Sequence, residues 1–515
     1  MTSNSAEIAK KYRLEYISSE DMLKLDPALV EKLPVDWARS NAILPVRING
    51  NIIILTADPA DLSSEEYVAL LLGVEAKVAV ADELFILKCI DKCYFQKDDA
   101  PDKFISGMAP SAAGVIEGIA DTTDDLLLSQ QGSPVTQLVN LILLEAVKKG
   151  ASDIHFESFA DKLRVRYRID GVLFEQSSPP KHMENAIMSR LKIMARMDIA
   201  EKRLPQDGMC KVRLGEREID IRISSVPVSE GERIVLRLLN KETALKPMSD
   251  LGMSANVYER FIKQIRNPHG MIIVCGPTGS GKTTTLYAAI SSLDSVRRNI
   301  LTIEDPVEYE MSNIGQIQVK PKIGLTFSNG LRHILRQDPD VVFVGETRDP
   351  ETAEIAIRAS LTGHLVFTTL HTNDAVGAMP RLIDMGVEPY LIASCLRVSL
   401  AQRLVRTLCS DCKRAVEYRS SGSRLFESYE NMLTGRTVFE PVGCPRCLEG
   451  YKGRTGVYEL IETNGKIQEA IRSSANEDDI RRLAVENGMQ PLIHDAISKV
   501  SQGVTSVSEI LSTIV

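Results

Sequence analysis

Short, largely apolar runs recur between residues 245 and 400: Met271–Cys275, Ile300–Ile303, Val341–Val344 and Leu365–Thr369. Each is too short for a buried helix and suits a strand covered on both faces. Helix-like stretches such as Thr283–Leu293 alternate with them, which is the pattern of a parallel sheet with crossover helices. Upstream the period changes. Leu163–Ile169 alternates strictly, with Arg164, Arg166 and Arg168 on one side and Val165, Tyr167 and Ile169 on the other. Ile219–Ile223 likewise sets Asp220 and Arg222 opposite its isoleucines. Strands are also expected at Ile154–Phe156, Arg217–Ser224 and Arg233–Leu238, with a helix over Lys181–Met197. A charged sheet face of this kind is ordinarily just solvated.

Local signals divide the rest. Asn49-Gly50 between Ile43–Ile48 and Asn51–Thr56 predicts a two-residue hairpin, and Ser63–Leu72 a helix. Residues 96–132 turn acidic and small, which predicts a mobile linker. Ser133-Pro134 offers an N-cap and a proline at the first helical position, opening a helix to about Lys149. Two or three amphipathic helices are expected between Ile467 and Val515.

A length of 515 residues predicts three or four domains. The net charge of −8 argues against a surface that binds nucleic acid non-specifically, although a local basic channel is compatible with it. The polar N-terminus lacks the apolar centre of a signal peptide, so a cytoplasmic protein is expected. Leu138–Val147, the longest apolar candidate, is interrupted by Asn140 and Glu145, so membrane association is expected only through partners.

Against this background the run Gly276-Pro277-Thr278-Gly279-Ser280-Gly281-Lys282-Thr283 is decisive. It is a GxxxxGK[ST] loop between a strand and a helix, and Thr284 follows it inside the helix. Its glycines let backbone N–H groups crowd a polyphosphate, and the helix N-terminus adds partial positive charge. Lys282 would reach the β- and γ-phosphates of ATP, and Thr283 would bind Mg²⁺. Glu304, Asp305 and Glu308 cluster at the carboxyl end of the next strand, where they can hold Mg²⁺ through its waters or orient an attacking water. Glu346 leaves Val341–Val344 as the carboxylate of a Walker B segment; Gly345 stands where many such enzymes have Asp, so Glu346 is the better candidate for activating water. His371, at the end of Leu365–Thr369, can hydrogen-bond a γ-phosphate, while His364 precedes that strand. Arg332 and Arg336, four apart on a helix-like run, share a face and are candidates for neutralising transferred charge, as are the arginine faces upstream.

Four of the nine cysteines form two CxxC pairs, Cys409/Cys412 and Cys444/Cys447. All-thiolate ligation points to structural zinc without an open catalytic position, with unliganded thiols as the alternative.

The ordered blocks GPTGSGKTTTLY (276–287), LTIEDPVEY (301–309), LRQDPDVVFVGETRD (335–349) and TGHLVFTTLHTNDA (362–375) resemble the secretion traffic ATPases, and among them most the type II secretion ATPases. The resemblance runs from about Ser133 to the C-terminus and includes the cysteine insertion. It implies an α/β protein: a RecA-like P-loop ATPase core preceded by a smaller PAS-like α/β domain, with an N-terminal α/β domain and a C-terminal zinc-stapled helical region. The expected boundaries are 1–95 for a partner-docking domain, 96–132 for the linker, 133–242 for the second domain, 243–404 for the ATPase core, 405–460 for the cysteine insertion and 461–515 for the helical region. It further implies a homo-hexamer on the cytoplasmic side of the inner membrane, docked on the cytoplasmic domain of a secretion-platform protein and driving pseudopilus assembly with ATP. Arg222 and Arg237 resemble second-domain arginines that reach the nucleotide; Glu304, Asp305 and Glu308 would support metal or water, and His371 would sense the γ-phosphate. Met209 stands where the family commonly has Arg, which leaves any phosphate or inter-subunit contact there in doubt. The first 95 residues resemble the family only loosely and lack its RLG-type repeats, so no cyclic dinucleotide is expected. A type IV pilus assembly ATPase, a DNA translocase and a nucleotide-gated scaffold remain alternatives.

Overall fold

The computed structural model describes residues 4–18, 23–30, 33–74, 77–95, 101, 105, 124–125, 133–214, 217–240, 246–419 and 427–514. The chain forms two compact units, Met1–Glu242 and Thr243–Val515. Most of the expected linker 96–132 lies outside the described residues.

Among the described residues the first unit holds two sheets. In the smaller, β1 (Glu15–Ile17), β2 (Ile43–Ile48), β3 (Asn51–Thr56) and β4 (Lys77–Ala81) take the order β1-β4-β3-β2. Asn49 and Gly50 both adopt positive φ, 50° and 83°, as the tight β2–β3 hairpin requires. The helix beside it spans Leu62–Leu72, capped by Asp61.

The larger sheet contains β5 (Asp124–Asp125), β6 (Asp153–Ser158), β7 (Leu163–Ile169), β8 (Val172–Ser177), β9 (Gln206–Leu214), β10 (Arg217–Val228) and β11 (Gly231–Asn240), ordered β5-β9-β10-β11-β6-β7-β8. β5 falls within the expected linker and pairs with β9, so part of that segment is strand. β8 and β9 were not expected as strands: β8 does not alternate apolar and polar residues, and β9 does so only from Cys210 to Leu214. Asp170-Gly171, with φ of 49° and 89°, is nevertheless a hairpin signal of the same kind as Asn49-Gly50. The helix predicted over Lys181–Met197 is a 3₁₀ turn, Lys181–Met183, followed by an α-helix, Glu184–Met194; Arg196 turns left-handed (φ 56°) and ends it. Ser133 caps the helix Pro134–Lys148 by accepting from the Thr136 N–H.

Val165, Tyr167 and Ile169 are buried, as the alternation demands, but the arginine face is more than solvated. Buried Glu157 pairs with Arg166 at 2.6 Å and Arg233 at 2.7 Å, and buried Asp153 with Arg237 at 2.9 Å. The opposite strand neighbours supply the counter-charges, which no single-strand pattern reveals.

The second unit is built on β12 (Gly270–Cys275), β13 (Ile300–Glu304), β14 (Gly315–Gln318), β15 (Val341–Val344), β16 (Leu365–Leu370) and β17 (Leu396–Leu408). An antiparallel pair, β18 (Arg414–Glu417) and β19 (Thr437–Glu440), precedes β20 (Tyr451–Glu462). The main sheet is ordered β14-β13-β15-β16-β12-β17-β20, parallel throughout except for the antiparallel β17–β20 pair. One face packs Ile272, Val274, Leu286, Phe343 and Phe367, and the other packs Ile273, Val342, Val344, Ala356 and Ile357. Burial on both faces is why these strands read as apolar runs. β17 runs through the expected 404/405 boundary and β20 through 460/461, so both belong to the main sheet. Four C-terminal helices, rather than two or three, span Gly465–Arg472, Glu477–Glu486, Leu492–Ser501 and Val507–Thr513. Ser474, with φ 54°, and the Asn476 cap make the break that periodicity did not show.

In the first unit the side chain of Lys192 is 1 % exposed and ion-pairs with Glu232, whose Oε1 also accepts from the Ser225 hydroxyl at 3.1 Å. Removing one member leaves a buried charge unpaired, so Lys192→Met should cost about 3–5 kcal/mol. Chemical denaturation of the full chain followed by circular dichroism checks this; an unchanged midpoint would refute it.

Candidate functional site

β12 delivers the chain to Gly276, the first residue of the phosphate loop. A Cβ on Gly276 would lie 2.5 Å from the Gln402 carbonyl oxygen, and one on Gly281 would lie 2.8 Å from Gln402 Nε2. Gly279 and Gly281 adopt positive φ, 79° and 85°, so the loop packs against β17 in a shape that only glycine takes without strain. Thr285, one turn into the helix Lys282–Ser291, donates to Gln402 Oε1 at 2.7 Å and fastens loop to strand.

Lys282 Nζ donates to the carbonyls of Gly276 (2.8 Å) and Pro277 (2.9 Å). Burial lowers its pKa, against the pull of Cys275 and Glu346. The Ser280 hydroxyl oxygen is buried and has no protein partner. A loop with an orphaned hydroxyl, a helix N-terminus and a lysine held on its carbonyls fits a polyphosphate.

Glu346 follows β15, its side chain 12 % exposed. Its carboxylate lies 2.6 Å from Arg348 and 3.6 Å from His371 Nε2. The strand ends are locked: the Gly345 N–H donates to the Ile303 carbonyl (2.8 Å), the Thr369 hydroxyl to the Gly345 carbonyl (2.7 Å) and the Thr347 N–H to the Thr369 carbonyl (3.1 Å). Lys282, Glu346 and His371 are thus one electrostatic group. Burial and then Lys282 lower the His371 pKa, while Glu346 opposes them.

Other expectations change. Glu304 is 2 % exposed and accepts from the hydroxyls of Tyr287 and Thr302 and, at 3.3 Å, from Gln316. Burial raises its pKa. It is therefore a core carboxylate rather than part of a solvent-facing trio, and only Asp305 and Glu308 are exposed. The helix Phe327–Ile334 ends before Arg336, so Arg332 and Arg336 do not share a helical face; Arg332 pairs with Glu351 at 2.5 Å and Arg336 bonds His333 at 2.9 Å. His364 lies before β16 and bonds the Ala359 carbonyl, at the other end of the strand from His371. Arg222 and Arg237 face each other in register across β10 and β11 of the first unit. Met209, opposite Arg222 on β9, is 58 % exposed. Sequence reasoning missed Arg348, two residues beyond Glu346, and Gln402, whose role exists only because β17 lies beside β12.

The cysteine pairs converge. Cys409 and Cys444 sulfurs are 3.9 Å apart, Cys412 and Cys447 3.7 Å, and Cys444 and Cys447 3.6 Å. All four lie within 4.8 Å of one another, which suits a metal ion.

The family model for type II/IV secretion system proteins matches residues 129–512. The chain belongs to this family. It is a secretion ATPase and hydrolyses ATP. A second model, the MshEN domain, matches residues 12–100, so the N-terminal region has a defined counterpart where only a loose likeness was expected. The type II secretion system ATPase E of Vibrio cholerae is 50% identical over 389 residues, covering 75% of this chain and 77% of its own. The type IV pilus assembly ATPase PilB of Myxococcus xanthus is 39% identical over 508 residues, covering 98% and 89%. The X-ray structure of the Legionella pneumophila ATPase DotB covers 73% of this chain and 94% of its own with a TM-score of 0.55 at 22% identity, which places the fold. Among the described residues no helix is long and apolar enough to cross a membrane.

The folded protein disfavours the His371 imidazolium, so its contribution to stability holds above the ordinary pKa of 6.5 and falls away as pH drops through 6.5 toward the folded midpoint. NMR titration of labelled histidine should place that midpoint below 6.5, and Lys282→Ala should raise it. A midpoint unmoved by Lys282→Ala would refute the coupling.

Proposed function

We propose that this secretion ATPase is the cytoplasmic motor of type II secretion, a homo-hexamer that docks on the cytoplasmic domain of an inner-membrane platform protein and powers pseudopilus assembly. The convergence of Lys282, Glu346 and His371 beside the phosphate loop carries the reading. In it, residues Gly276 to Thr284 cradle the polyphosphate and Lys282 leaves its two carbonyls to meet the β- and γ-phosphates. Thr283 would hold Mg²⁺, which would supply charge neutralisation on those phosphates. Asp305 and Glu308 would help to hold Mg²⁺ through its waters, and Glu346 takes the proton of the attacking water while Arg348 holds its carboxylate in place. His371 contacts the γ-phosphate. Arg222, Arg237, Arg332 and Arg336 supply positive charge to the transferred group, Arg222 and Arg237 from a RecA-preceding, PAS-like domain. Glu304 braces the loop bearing Asp305 and Glu308 from inside the core.

Zinc fits the cysteines: an ion about 2.3 Å from each of four sulfurs places them about 3.8 Å apart, close to the 3.6–3.9 Å of three of the sulfur pairs, with all four within 4.8 Å of one another. Type IV pilus assembly is the second reading, favoured by the near-complete coverage of the chain by PilB.

Mg²⁺-dependent hydrolysis measured against protein concentration, with and without the platform domain, should rise with assembly. Glu346→Gln should lower kcat by about 10²–10³-fold with ATP binding retained; an unchanged rate would remove Glu346 from the mechanism.

The purified chain should carry about one zinc ion, lost in Cys447→Ser, and metal removal should lower the melting temperature. Metal-free protein with undiminished thermal stability would overturn the structural role.

A further inference from the structure

The loop after β16 is held from an unexpected quarter. His371 opens it, and three residues on, Asp374 Oδ2 accepts from Arg481 at 2.8 Å while Oδ1 accepts from the Gly377 N–H at 2.8 Å. Arg481 lies on the C-terminal helix Glu477–Glu486. The next residue, Ala375, donates its N–H to Glu459 Oε1 at 2.8 Å, and the other oxygen of Glu459 accepts from the Leu492 N–H at 3.1 Å. Glu459 is on β20, 2 % exposed, and Leu492 begins the helix Leu492–Ser501.

A buried carboxylate is costly unless each oxygen is bonded, and packed apolar residues would hold β20 as well. Here its two oxygens join two different elements: the loop that carries His371, and a C-terminal helix whose first N–H groups favour negative charge. We infer that Glu459 and Arg481 are positioning residues for ATP hydrolysis, tying the C-terminal helices to the loop that aims His371. The inference rests on the reading of His371 given above. Through this tether the position of the C-terminal helices is felt at the γ-phosphate contact, because a misplacement of about 1 Å at a reacting group is enough to change a rate.

The test is steady-state hydrolysis by the full chain. Arg481→Gln should lower kcat about tenfold while KM for ATP changes less than about twofold, and Arg481→Lys should restore most of the rate. Hydrogen exchange should rise at Thr372–Gly377 with the melting temperature held. Combining Arg481→Gln with His371→Ala should be no slower than His371→Ala alone, since both act through one side chain. Glu459→Gln should repeat the pattern, and if it fails to fold, the more exposed Arg481 still decides. Wild-type kcat in Arg481→Gln, or additive losses in the double variant while His371→Ala is itself defective, would overturn the tether alone. A wild-type rate in His371→Ala would instead overturn the reading of His371, and the tether with it.

Discussion

Three neighbouring parallel strands ending at one edge make the chemistry of this chain possible. β15, β16 and β12 lie side by side, with Val344 opposite Thr368 and Leu370 opposite Cys275. From that edge emerge Glu346, His371 and the phosphate loop in turn. The register is carried by backbone hydrogen bonds and by side chains buried on both faces, and a slip of one residue would shift a strand end by about 3.3 Å and reverse its faces. A catalytic contact tolerates far less. The apolar uniformity of these strands therefore serves the placement of groups that lie beyond their ends.

Around this edge, polar groups are buried only with partners. Glu304 is enclosed by two hydroxyls and an amide, Glu459 by two backbone N–H groups, and Gln402 by Thr285 and the glycines of the loop. The Ser280 hydroxyl departs from the rule, and it lies inside the phosphate loop. Satisfied buried groups stiffen the scaffold, while the Ser280 hydroxyl is left available to the polyphosphate that the loop fits. In the first unit Asp153 and Glu157 are also buried under arginines from adjacent strands, although Glu157 Oε2 has no hydrogen-bond partner.

What could be read in advance followed from short-range physics. The strands β2, β3, β7, β12, β15 and β16, the Asn49-Gly50 hairpin, the Ser133 cap and the phosphate loop all depend on periodicity or on residues within a few positions. β8, β9, β14 and β17 were not legible: β8 hairpins with β7 and β9 with β10 but neither carries a full alternating pattern, while β17 is held by β12 and β20, far away in the chain. Glu304 shows the limit most clearly. Its position at a strand end suggested a ligand-facing carboxylate, yet Tyr287, Thr302 and Gln316 claim it for the core.

The chain's order of residues alone determined that it folds as an α/β protein with a phosphate-binding loop, which carboxylate and histidine follow the buried strands, and that four cysteines come in pairs. Those properties are local: a turn, a cap or a glycine acts within a few residues. Tertiary structure alone decided that Gln402 backs the loop, that Arg348 and His371 flank Glu346, that Arg332 and Arg336 part company, and that Glu459 and Arg481 reach the histidine loop from the C-terminal strand and helix. Strand order and long-range packing bring those groups together, and no periodicity in the sequence encodes which strand will lie beside which.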